Sequence, residues 1–313
     1  MVSTLHENTR RTPVTVLGLG PMGRALASAF LDARHPVTVW NRTPGKAGDL
    51  PGRGAVVAGS VQDAVRAGHV VIVCLLDYDA VRVTLEHAPA DWEDRRLVNL
   101  TSGEPAQARR MSQWAAARGI DYLDGAVLTP TPAIGTPAGA VLLSGSRHVH
   151  EAVQETMAAV GGTAMHVGDD PGRASAYEIA LLDIFATSVN GIVHAFALAS
   201  AEGIEPERFA AFAAGIGGIL PEMITRFAQQ IRTGHYPGDR STIASAASGI
   251  THIISTAAGH GIDVGMLTAA KTTIDQAVAD GYGPQGLARL TTVLHAPARA
   301  RAEHGRIGST RSP

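Results

Sequence analysis

A glycine-rich turn between an apolar run and a helical segment carries the clearest chemistry in this sequence. The run Val14-Thr-Val-Leu leads into Gly18-Leu-Gly-Pro-Met-Gly, which has the spacing G-x-G-x-x-G. The first glycine permits a tight turn, the second lets the backbone approach a pyrophosphate, and the third lets a helix pack closely on a strand. The helix N-terminus adds N–H donors and the positive end of a dipole. The motif therefore predicts a dinucleotide site formed by Gly18, Leu19, Gly20, Pro21, Met22 and Gly23.

The end of the second apolar run, Val37–Trp40, indicates which dinucleotide binds. Enzymes that use NAD usually place Asp or Glu here to accept a hydrogen bond from the ribose 2′-hydroxyl. This chain has Asn41, Arg42, Thr43 and Lys46 instead. Two cations and a hydroxyl group suit a 2′-phosphate, which carries nearly two negative charges. The sequence predicts NADP as the coenzyme, and the alternative is a solvated basic turn.

The elements that must position these residues alternate along the first half of the chain. Helical segments separate most of the eight short apolar or β-branched runs, which lie at 14–18, 37–41, 55–58, 70–76, 97–101, 122–127, 141–144 and 164–167. Continuous apolar strands that alternate with helices predict a parallel sheet covered on both faces. The short spacing between the sixth and seventh runs predicts an antiparallel extension at the far edge. We therefore expect an α/β Rossmann domain over 13–168.

The second half of the chain is predicted to be all-α. An interdomain helix is expected within 169–203, with Asp170 as its N-cap and Gly203 at its C-terminal end. Its roughly 30 residues make a rod of about 45 Å, which is longer than a small domain needs for its own core. We expect other helices, including those of a partner chain, to cover it. A helical dimerisation and substrate domain should follow over 204–300, with helices near 206–215, 220–232, 239–259, 263–280 and 284–297.

Composition and charge exclude several classes of protein. Lys and Arg number 26 and Asp and Glu number 28, so the net charge of −2 gives no basic surface for nucleic acid. The single cysteine, Cys74, excludes an internal disulfide, and the histidines lack metal-ligand spacing, so no metal site is expected. Met1–Thr12 has no apolar run, and polar residues interrupt the longest apolar stretch, Ile179–Ala201. We expect a cytoplasmic protein without a signal peptide or membrane span, and with irregular tails at Met1–Thr12 and Gly308–Pro313.

Four segments of the chain carry a resemblance to a known family. They are 16–23 (VLGLGPMG), 39–46 (VWNRTPGK), 97–103 (LVNLTSG) and 168–174 (GDDPGRA). Together they resemble the imine reductases, which belong to the β-hydroxyacid dehydrogenase superfamily. The resemblance implies a Rossmann domain, a long interdomain helix and a C-terminal helical bundle in an interlocked homodimer, with the active site between one chain's coenzyme domain and the other chain's bundle. The residues that it assigns to the nicotinamide end of the site are Leu75, Leu76, Asn99, Thr101 and Ser102.

The same resemblance indicates which side chain transfers a proton. Related hydroxyacid dehydrogenases use a lysine on the long helix, but this chain has no lysine between Lys46 and Lys271. A cation there would repel an iminium substrate, whereas a carboxylate would attract it. Imine reductases commonly have Asp or Tyr at the position, and aligning the fourth segment places Glu178 there. A second family position, often Tyr, falls on Ala186, so the site lacks a hydroxyl group.

Helix geometry gives a basis for weighing the acidic candidates. Glu178 shares its face with apolar residues, so the pKa of its carboxyl group should be raised, which suits a proton donor near neutral pH. Asp183 lies on another face with Thr187, Asn190 and His194, either as a second catalytic array or in a hydrogen-bond network. Tyr177, another residue or water are further alternatives. A further alternative is that Glu178 is an exposed carboxylate near the start of the helix, where the helix dipole favours a negative charge.

The expected function is hydride transfer from NADPH to the C=N bond of an imine or iminium, which gives an amine. Reductive amination of a ketone with an amine is a further expectation for the same site. One alternative is a C=O oxidoreductase of the same superfamily, against which the missing lysine counts. The other is a non-catalytic NADPH-binding sensor. The expected ligands are small imines, amines or ketones.

Overall fold

The structure is a computed structural model that describes residues 11–88 and 92–295. The tails predicted at Met1–Thr12 and Gly308–Pro313 lie outside the described residues, apart from residues 11 and 12. The described chain divides into two compact units, and the division falls between Ala186 and Thr187, inside the longest helix.

An eight-stranded sheet forms the centre of the first unit. Its strands are β1 (Val14–Leu17), β2 (Val37–Trp40), β3 (Val56–Val57), β4 (Val70–Val73), β5 (Arg96–Asn99), β6 (Asp121–Val127), β7 (Ala140–Gly145) and β8 (Thr163–His166). They lie in the order β3-β2-β1-β4-β5-β6-β7-β8, and every pair is parallel except β6 with β7. The predicted parallel sheet with an antiparallel extension is confirmed.

Helices cover both faces of this sheet. They are α1 (Pro21–Asp32), α2 (Val61–Ala67), α3 (Tyr78–Glu86), α4 (Pro105–Ala116) and α5 (Arg147–Met157). Alternate residues of each strand enter opposite cores, because side chains in a strand point alternately to the two faces. Val16 packs in the core that contains Phe30 of α1, whereas Leu17 packs in the core that contains Val81 of α3 and Met111 of α4. The doubly wound arrangement predicted from the continuous apolar runs is therefore confirmed.

The carboxyl ends of the parallel strands place the predicted site residues at one edge of the sheet. The glycine-rich turn follows β1, the basic turn follows β2, Leu75 and Leu76 follow β4, and Thr101 and Ser102 follow β5. Ligands of open α/β sheets bind outside this edge. The fold thus gathers residues that are far apart in the sequence into one region.

The long helix α6 (Arg173–Ala201) has 29 residues and agrees within a few residues with its prediction. At its start, Asp170 Oδ1 accepts a hydrogen bond from the Gly172 N–H at 3.0 Å, and both Asp170 oxygens accept from Arg109 of α4 at 2.9 and 2.7 Å. After its end, Gly203 has a φ of +75°, a conformation that glycine adopts without strain. Side-chain capping at one end and glycine at the other set the length of α6.

The second unit is helical and contains α7 (Pro206–Thr233), α8 (Ile243–Gly259), α9 (Gly265–Ala279) and α10 (Leu290–Leu294) together with the C-terminal part of α6. The prediction of separate helices at 206–215 and 220–232 is wrong, because α7 runs unbroken through Pro221. A proline inside a helix removes one N–H donor and strains the preceding turn, which kinks a helix more readily than it ends one. The last helix predicted, 284–297, extends beyond the described residues.

Large apolar side chains of the second unit are exposed to solvent in the single chain. Ile192 of α6 is 56% exposed, and Phe212 and Ile216 of α7 are 76% and 65% exposed. These side chains line a cavity of about 760 Å³. Within the described part of the chain, α6 is also the one helix whose length and composition would allow it to cross a membrane. A helix at the centre of a helical domain also meets these criteria of length and composition, so they do not by themselves indicate a membrane span.

Candidate active site

The glycine-rich turn has the geometry of a dinucleotide cradle. Gly18 has a φ of +101°, and a Cβ atom there would lie 2.1 Å from the Cys74 carbonyl oxygen. A Cβ atom at Gly23 would lie 2.0 Å from the Gly18 carbonyl oxygen, so neither position accepts a side chain. At Gly20, in contrast, a Cβ atom would meet no atom within 4 Å. This open space lies in front of the N-terminus of α1, where Pro21 is the first residue, and it fits a pyrophosphate group.

The Asn41 side chain connects the glycine-rich turn to the basic turn. Its Oδ1 accepts a hydrogen bond from the Leu19 N–H at 2.9 Å, and its Nδ2 donates to the Thr43 carbonyl oxygen at 3.0 Å. Asn41 therefore uses its amide group to hold the two turns together. The same position in NAD enzymes carries the acid that binds the ribose.

The basic turn leaves its cations available for a ligand. The side chains of Arg42, Thr43 and Lys46 are exposed, and none of them forms a hydrogen bond or an ion pair within the described ranges. A cavity of about 630 Å³ is bounded by both turns, with Leu19, Gly20, Pro21, Arg24, Asn41, Gly45 and Lys46 around it. Two unpaired cations beside an open cradle fit the 2′-phosphate of NADP. The residues present thus fit this coenzyme.

The residues predicted for the nicotinamide end fall into two groups. Leu76 is 89% exposed, and Leu75 donates its N–H to Thr101 Oγ1 at 3.0 Å, so the loops after β4 and β5 lie side by side. Asn99 and Thr101 are fully buried, and Asn99 Oδ1 accepts from the Thr101 N–H at 3.2 Å. The buried side chains of Thr101 and Asn99 therefore hold the backbone of these two loops through hydrogen bonds. Their predicted contact with the coenzyme stays a prediction.

Ser102 and Glu178 form the contact between the sheet edge and α6. Ser102 Oγ donates a hydrogen bond to Glu178 Oε1 at 2.6 Å. Glu178 is only 7% exposed, and its buried Oε2 has no hydrogen-bond partner among the described residues. Burial raises the pKa of the Glu178 carboxyl group, and the Ser102 hydrogen bond opposes that rise. The predicted direction of the pKa shift is confirmed, and the reading of Glu178 as an exposed carboxylate is wrong.

The burial of Glu178 has a different cause from the one expected. Leu182, Phe185 and Val189 continue its face along α6, but they are 49%, 67% and 40% exposed in the single chain. The loop that carries Ser102 is what contacts the Glu178 carboxyl group. Burial raises the pKa of the Cys74 thiol to about 11, and the charge of Glu178 adds to this effect.

The other predicted candidates on α6 are exposed, except for His194, which is half-buried. Asp183 lies five residues beyond Glu178, which turns its side chain by about 140° around the helix. Asp183 is exposed together with Thr187 and Asn190, and Tyr177 is 50% exposed. The structure therefore brings Glu178, and not Asp183, to Ser102. Among the described residues, no group of three or more His, Cys, Asp or Glu side chains could hold a metal ion.

A buried carboxyl group beneath these loops was missed by the sequence analysis. Asp124 on β6 is fully buried, and its Oδ2 accepts hydrogen bonds from the hydroxyl groups of Tyr78 at 2.7 Å and Tyr122 at 2.6 Å. Its Oδ1 accepts from Ser175 Oγ at 3.1 Å. Burial raises the pKa of Asp124 to about 6, although the hydroxyl donors act in the opposite direction. An acidic residue inside an apolar strand was the available signal, because a buried carboxylate requires partners.

The fold and the site together define an NADP-dependent oxidoreductase with a helical C-terminal domain. Comparison with known families agrees with this class. Residues 13–168 match the NAD binding domain of 6-phosphogluconate dehydrogenase, and residues 170–296 match the C-terminal domain of proteins like NADPH-dependent reductive aminase.

Individual relatives cover almost the whole chain. The NADPH-dependent reductive aminase of Aspergillus oryzae is 30% identical over 288 residues, which are 88% of this chain and 95% of the relative. The imine reductase of Myxococcus stipitatus in complex with NADP+ is 34% identical with a TM-score of 0.85, over 90% of this chain and 99% of that one. A reductive aminase of Aspergillus terreus in complex with NADPH4, cyclohexanone and allyl amine is 32% identical with a TM-score of 0.84, over 91% and 100% of the two chains.

This chain belongs to the family of NADPH-dependent imine reductases and reductive aminases. The predicted family, the fold class, the enzyme class and NADP as the coenzyme are confirmed by these matches.

Proposed function

We propose that this enzyme reduces the C=N bond of an imine or iminium to an amine, and that Glu178 acts at the nitrogen atom. Bound NADPH supplies the hydride that goes to the carbon atom. The observation that carries the proposal is the buried Glu178 carboxyl group, whose Oε2 is left unpaired while Ser102 holds Oε1. This carboxyl group lies at the sheet edge that carries the coenzyme motif.

Glu178 fits both requirements of the reaction at nitrogen. A neutral imine must gain a proton at nitrogen as its carbon atom gains the hydride, and an acid with a raised pKa retains a proton at higher pH. Once the nitrogen is protonated, the carboxylate stabilises the positive iminium by charge. The Ser102 hydroxyl group fixes Oε1, so we assign the contact with the substrate nitrogen to Oε2, which is buried and has no hydrogen-bond partner among the described residues.

The substrate class proposed is a small imine, or a ketone and an amine that condense to one. Relatives named as imine reductases and reductive aminases support this class. Related oxidoreductases of the hydroxyacid type use a lysine on the long helix, and α6 contains no lysine. That alternative is not favoured.

We further propose that two chains form an interlocked dimer, with domains at 13–168, 169–203 and 204–300 and the bundle of one chain completing the site of the other. The exposed apolar residues of the second unit support a partner subunit, because apolar surface left in water costs about 25 cal/mol for each Å². The cytoplasm is the proposed location, since the lone Cys74 suits a reducing compartment.

One assay tests the proposed reaction. NADPH oxidation is followed with a small cyclic imine, with a ketone alone, with a ketone and an amine together, and with no acceptor. We expect turnover with the imine and with the ketone–amine mixture. Turnover with the ketone alone and not with the imine would indicate a C=O oxidoreductase. NADPH binding without turnover of any acceptor would indicate a sensor.

A further inference from the structure

Three segments at the nicotinamide end of the proposed site converge on one buried carboxyl group. They are the loop after β4, the loop after β5 and the first turns of α6, and the shared group is Asp124 on β6. We propose that Asp124 is a positioning residue, which holds Ser102 and Glu178 at hydrogen-bond distance by anchoring the segments that carry them. This inference rests on the proposed function of Glu178.

The first connection runs from Asp124 to the loop of Ser102. Asn99 is the register partner of Asp124 on the neighbouring strand β5, and its Nδ2 lies 3.4 Å from Asp124 Oδ2 and 3.2 Å from the Tyr122 hydroxyl group. The other end of the same amide, Oδ1, accepts from the N–H of Thr101 at 3.2 Å. Asn99 thus transmits the position of Asp124 to the residue that precedes Ser102.

The second connection runs from Asp124 to the helix of Glu178. Ser175 donates its hydroxyl proton to Asp124 Oδ1 at 3.1 Å and is 1% exposed. Residues three apart on a helix lie on the same face, so Ser175 and Glu178 both point toward the sheet edge. The hydrogen bond from Ser175 therefore fixes both the rotation of α6 about its axis and its position along that axis near Glu178.

The third connection involves Tyr78, the first residue of α3, which follows the loop of Leu75 and Leu76. Its hydroxyl group donates to Asp124 at 2.7 Å and lies 3.5 Å from Ser175 Oγ. Its ring also fills the space beside Gly103, where a Cβ atom would lie 2.6 Å from the ring. Tyr78 therefore limits the position of the loop of Ser102 at Gly103.

The charge state of Asp124 controls this arrangement. The groups bonded to it are the phenols of Tyr78 and Tyr122, the hydroxyl group of Ser175 and the amide of Asn99, and no cation bonds to it within the described ranges. All four can donate to a carboxylate. A protonated Asp124 must itself donate to one of the three hydroxyl oxygens, so that hydroxyl group has to change from donor to acceptor. Because the pKa of Asp124 is raised to about 6, this change falls just below neutral pH.

The test compares Asp124→Asn with Asp121→Asn. Both changes replace a carboxylate on β6 with an amide, but Asp121 is the first residue of the strand and lies near Arg96. We expect Asp124→Asn to lower kcat for imine reduction by about tenfold to a hundredfold, since displacement of a reacting group by about 1 Å has effects of this size. The dissociation constant for NADPH should stay within about twofold, and Asp121→Asn should behave as the wild type.

Two further readouts separate positioning from a loss of folding. Ser175→Ala removes only the connection to α6, so it should lower kcat without changing NADPH binding. The pH profile of kcat should lose an inflection near pH 6 in Asp124→Asn and retain it in Asp121→Asn. If Asp124→Asn does not fold, the kcat of Ser175→Ala tests the positioning role of Asp124 in its place.

The outcomes distinguish this inference from the proposed function. An active wild type whose kcat and pH profile are unchanged by Asp124→Asn, or by Ser175→Ala where Asp124→Asn does not fold, overturns the positioning role alone. A wild type that binds NADPH but reduces no imine overturns the proposed function and the positioning role with it.

Discussion

The hydroxyl group of Ser102 donates a 2.6 Å hydrogen bond to the carboxyl group of Glu178, across 76 residues of sequence. The bond joins the loop after β5, which the resemblance assigns to the coenzyme, to the helix that carries the proposed acid. One oxygen of Glu178 is thereby fixed, and the other is buried without a hydrogen-bond partner among the described residues.

Replacing Glu178 with Gln should reduce kcat for imine reduction by about a hundredfold to ten-thousandfold, which is the usual contribution of a positioned acid. The amide retains the size of the side chain and can still bond to Ser102, so the dissociation constant for NADPH should not change. Asp183→Asn is the matched control on the same helix. Steady-state kinetics and NADPH fluorescence measure the two quantities, and a larger loss in Asp183→Asn would transfer the role to Asp183.

Removing the Ser102 hydroxyl group should alter the pH dependence of imine reduction. The hydrogen bond from Ser102 favours the ionised Glu178 and so lowers its pKa, against the rise caused by burial. In Ser102→Ala the pKa of Glu178 should therefore increase further. Because the protonated form is the donor, activity with a neutral imine falls as pH rises through this pKa, and the fall should move to higher pH.

A preformed iminium substrate provides the control for that experiment. It needs no proton from Glu178 but gains from the ionised carboxylate. Its reduction should therefore increase with pH over the range in which reduction of the neutral imine decreases. Parallel profiles for the two substrates would contradict the role of Glu178 as a proton donor.

Coenzyme preference should depend on Arg42. In Arg42→Ala the KM for NADPH should rise by about tenfold to a hundredfold, since hydrogen bonds to charged groups contribute about 1.5–3 kcal/mol. The KM for NADH, which lacks the 2′-phosphate, should change little. Arg66→Ala removes an exposed arginine from α2 and serves as the control. Equal changes for both coenzymes would contradict the phosphate contact.

The buried Asp124 should make the free energy of unfolding decrease as pH rises, which is opposite to the effect of a carboxyl group whose pKa is lowered by folding. Its pKa is about 6 in the folded protein, against 3.8 for an unperturbed carboxyl group. Between these values the folded state binds more protons than the unfolded state, so the free energy of unfolding falls as pH rises from about 4 to about 6 and then stops changing on this account. Chemical denaturation of the wild type and of Asp124→Asn should diverge over this window. Parallel stability curves would contradict the raised pKa.

The exposed apolar face of the second unit should hold two chains together. Phe212→Asp places a charge on α7 in the cavity lined by α6 and α7, and we expect it to convert a dimer into monomers by analytical ultracentrifugation. Imine reduction should fall with it, because the proposed site needs the bundle of the partner. Val83→Asp introduces the same charge on an exposed part of α3 and should leave the dimer intact. A monomeric wild type with full activity would contradict the proposed assembly.

Local patterns were sufficient to predict the sheet, the glycine-rich turn and α6. Each of these depends on short-range chemistry, such as apolar runs, the spacing of glycines or the cap at Asp170. The sequence prediction was wrong near Pro221, where it placed two separate helices at 206–215 and 220–232. There α7 continues, since a proline inside a helix can kink it without ending it.

Sequence patterns could not predict the contacts between segments that are far apart in the chain. Asp124 receives hydrogen bonds from Tyr78 and Ser175, which are 46 and 51 residues away in the chain. Asn99 shows the same limit, because its place in the fifth strand was predicted and the direction of its side chain, into this network, was not. Side-chain direction at a strand end depends on neighbours that only the tertiary structure supplies.

The dual use of the Asn41 amide limits how coenzyme preference can be redesigned. An aspartate at this position, the obvious change toward NADH, could still accept from the Leu19 N–H but would present a second oxygen to the Thr43 carbonyl oxygen, where an N–H donor is now found. Repulsion between those oxygens would displace the turn that a new coenzyme must contact. Engineering toward NADH therefore has to begin at Arg42, Thr43 and Lys46, with Asn41 kept.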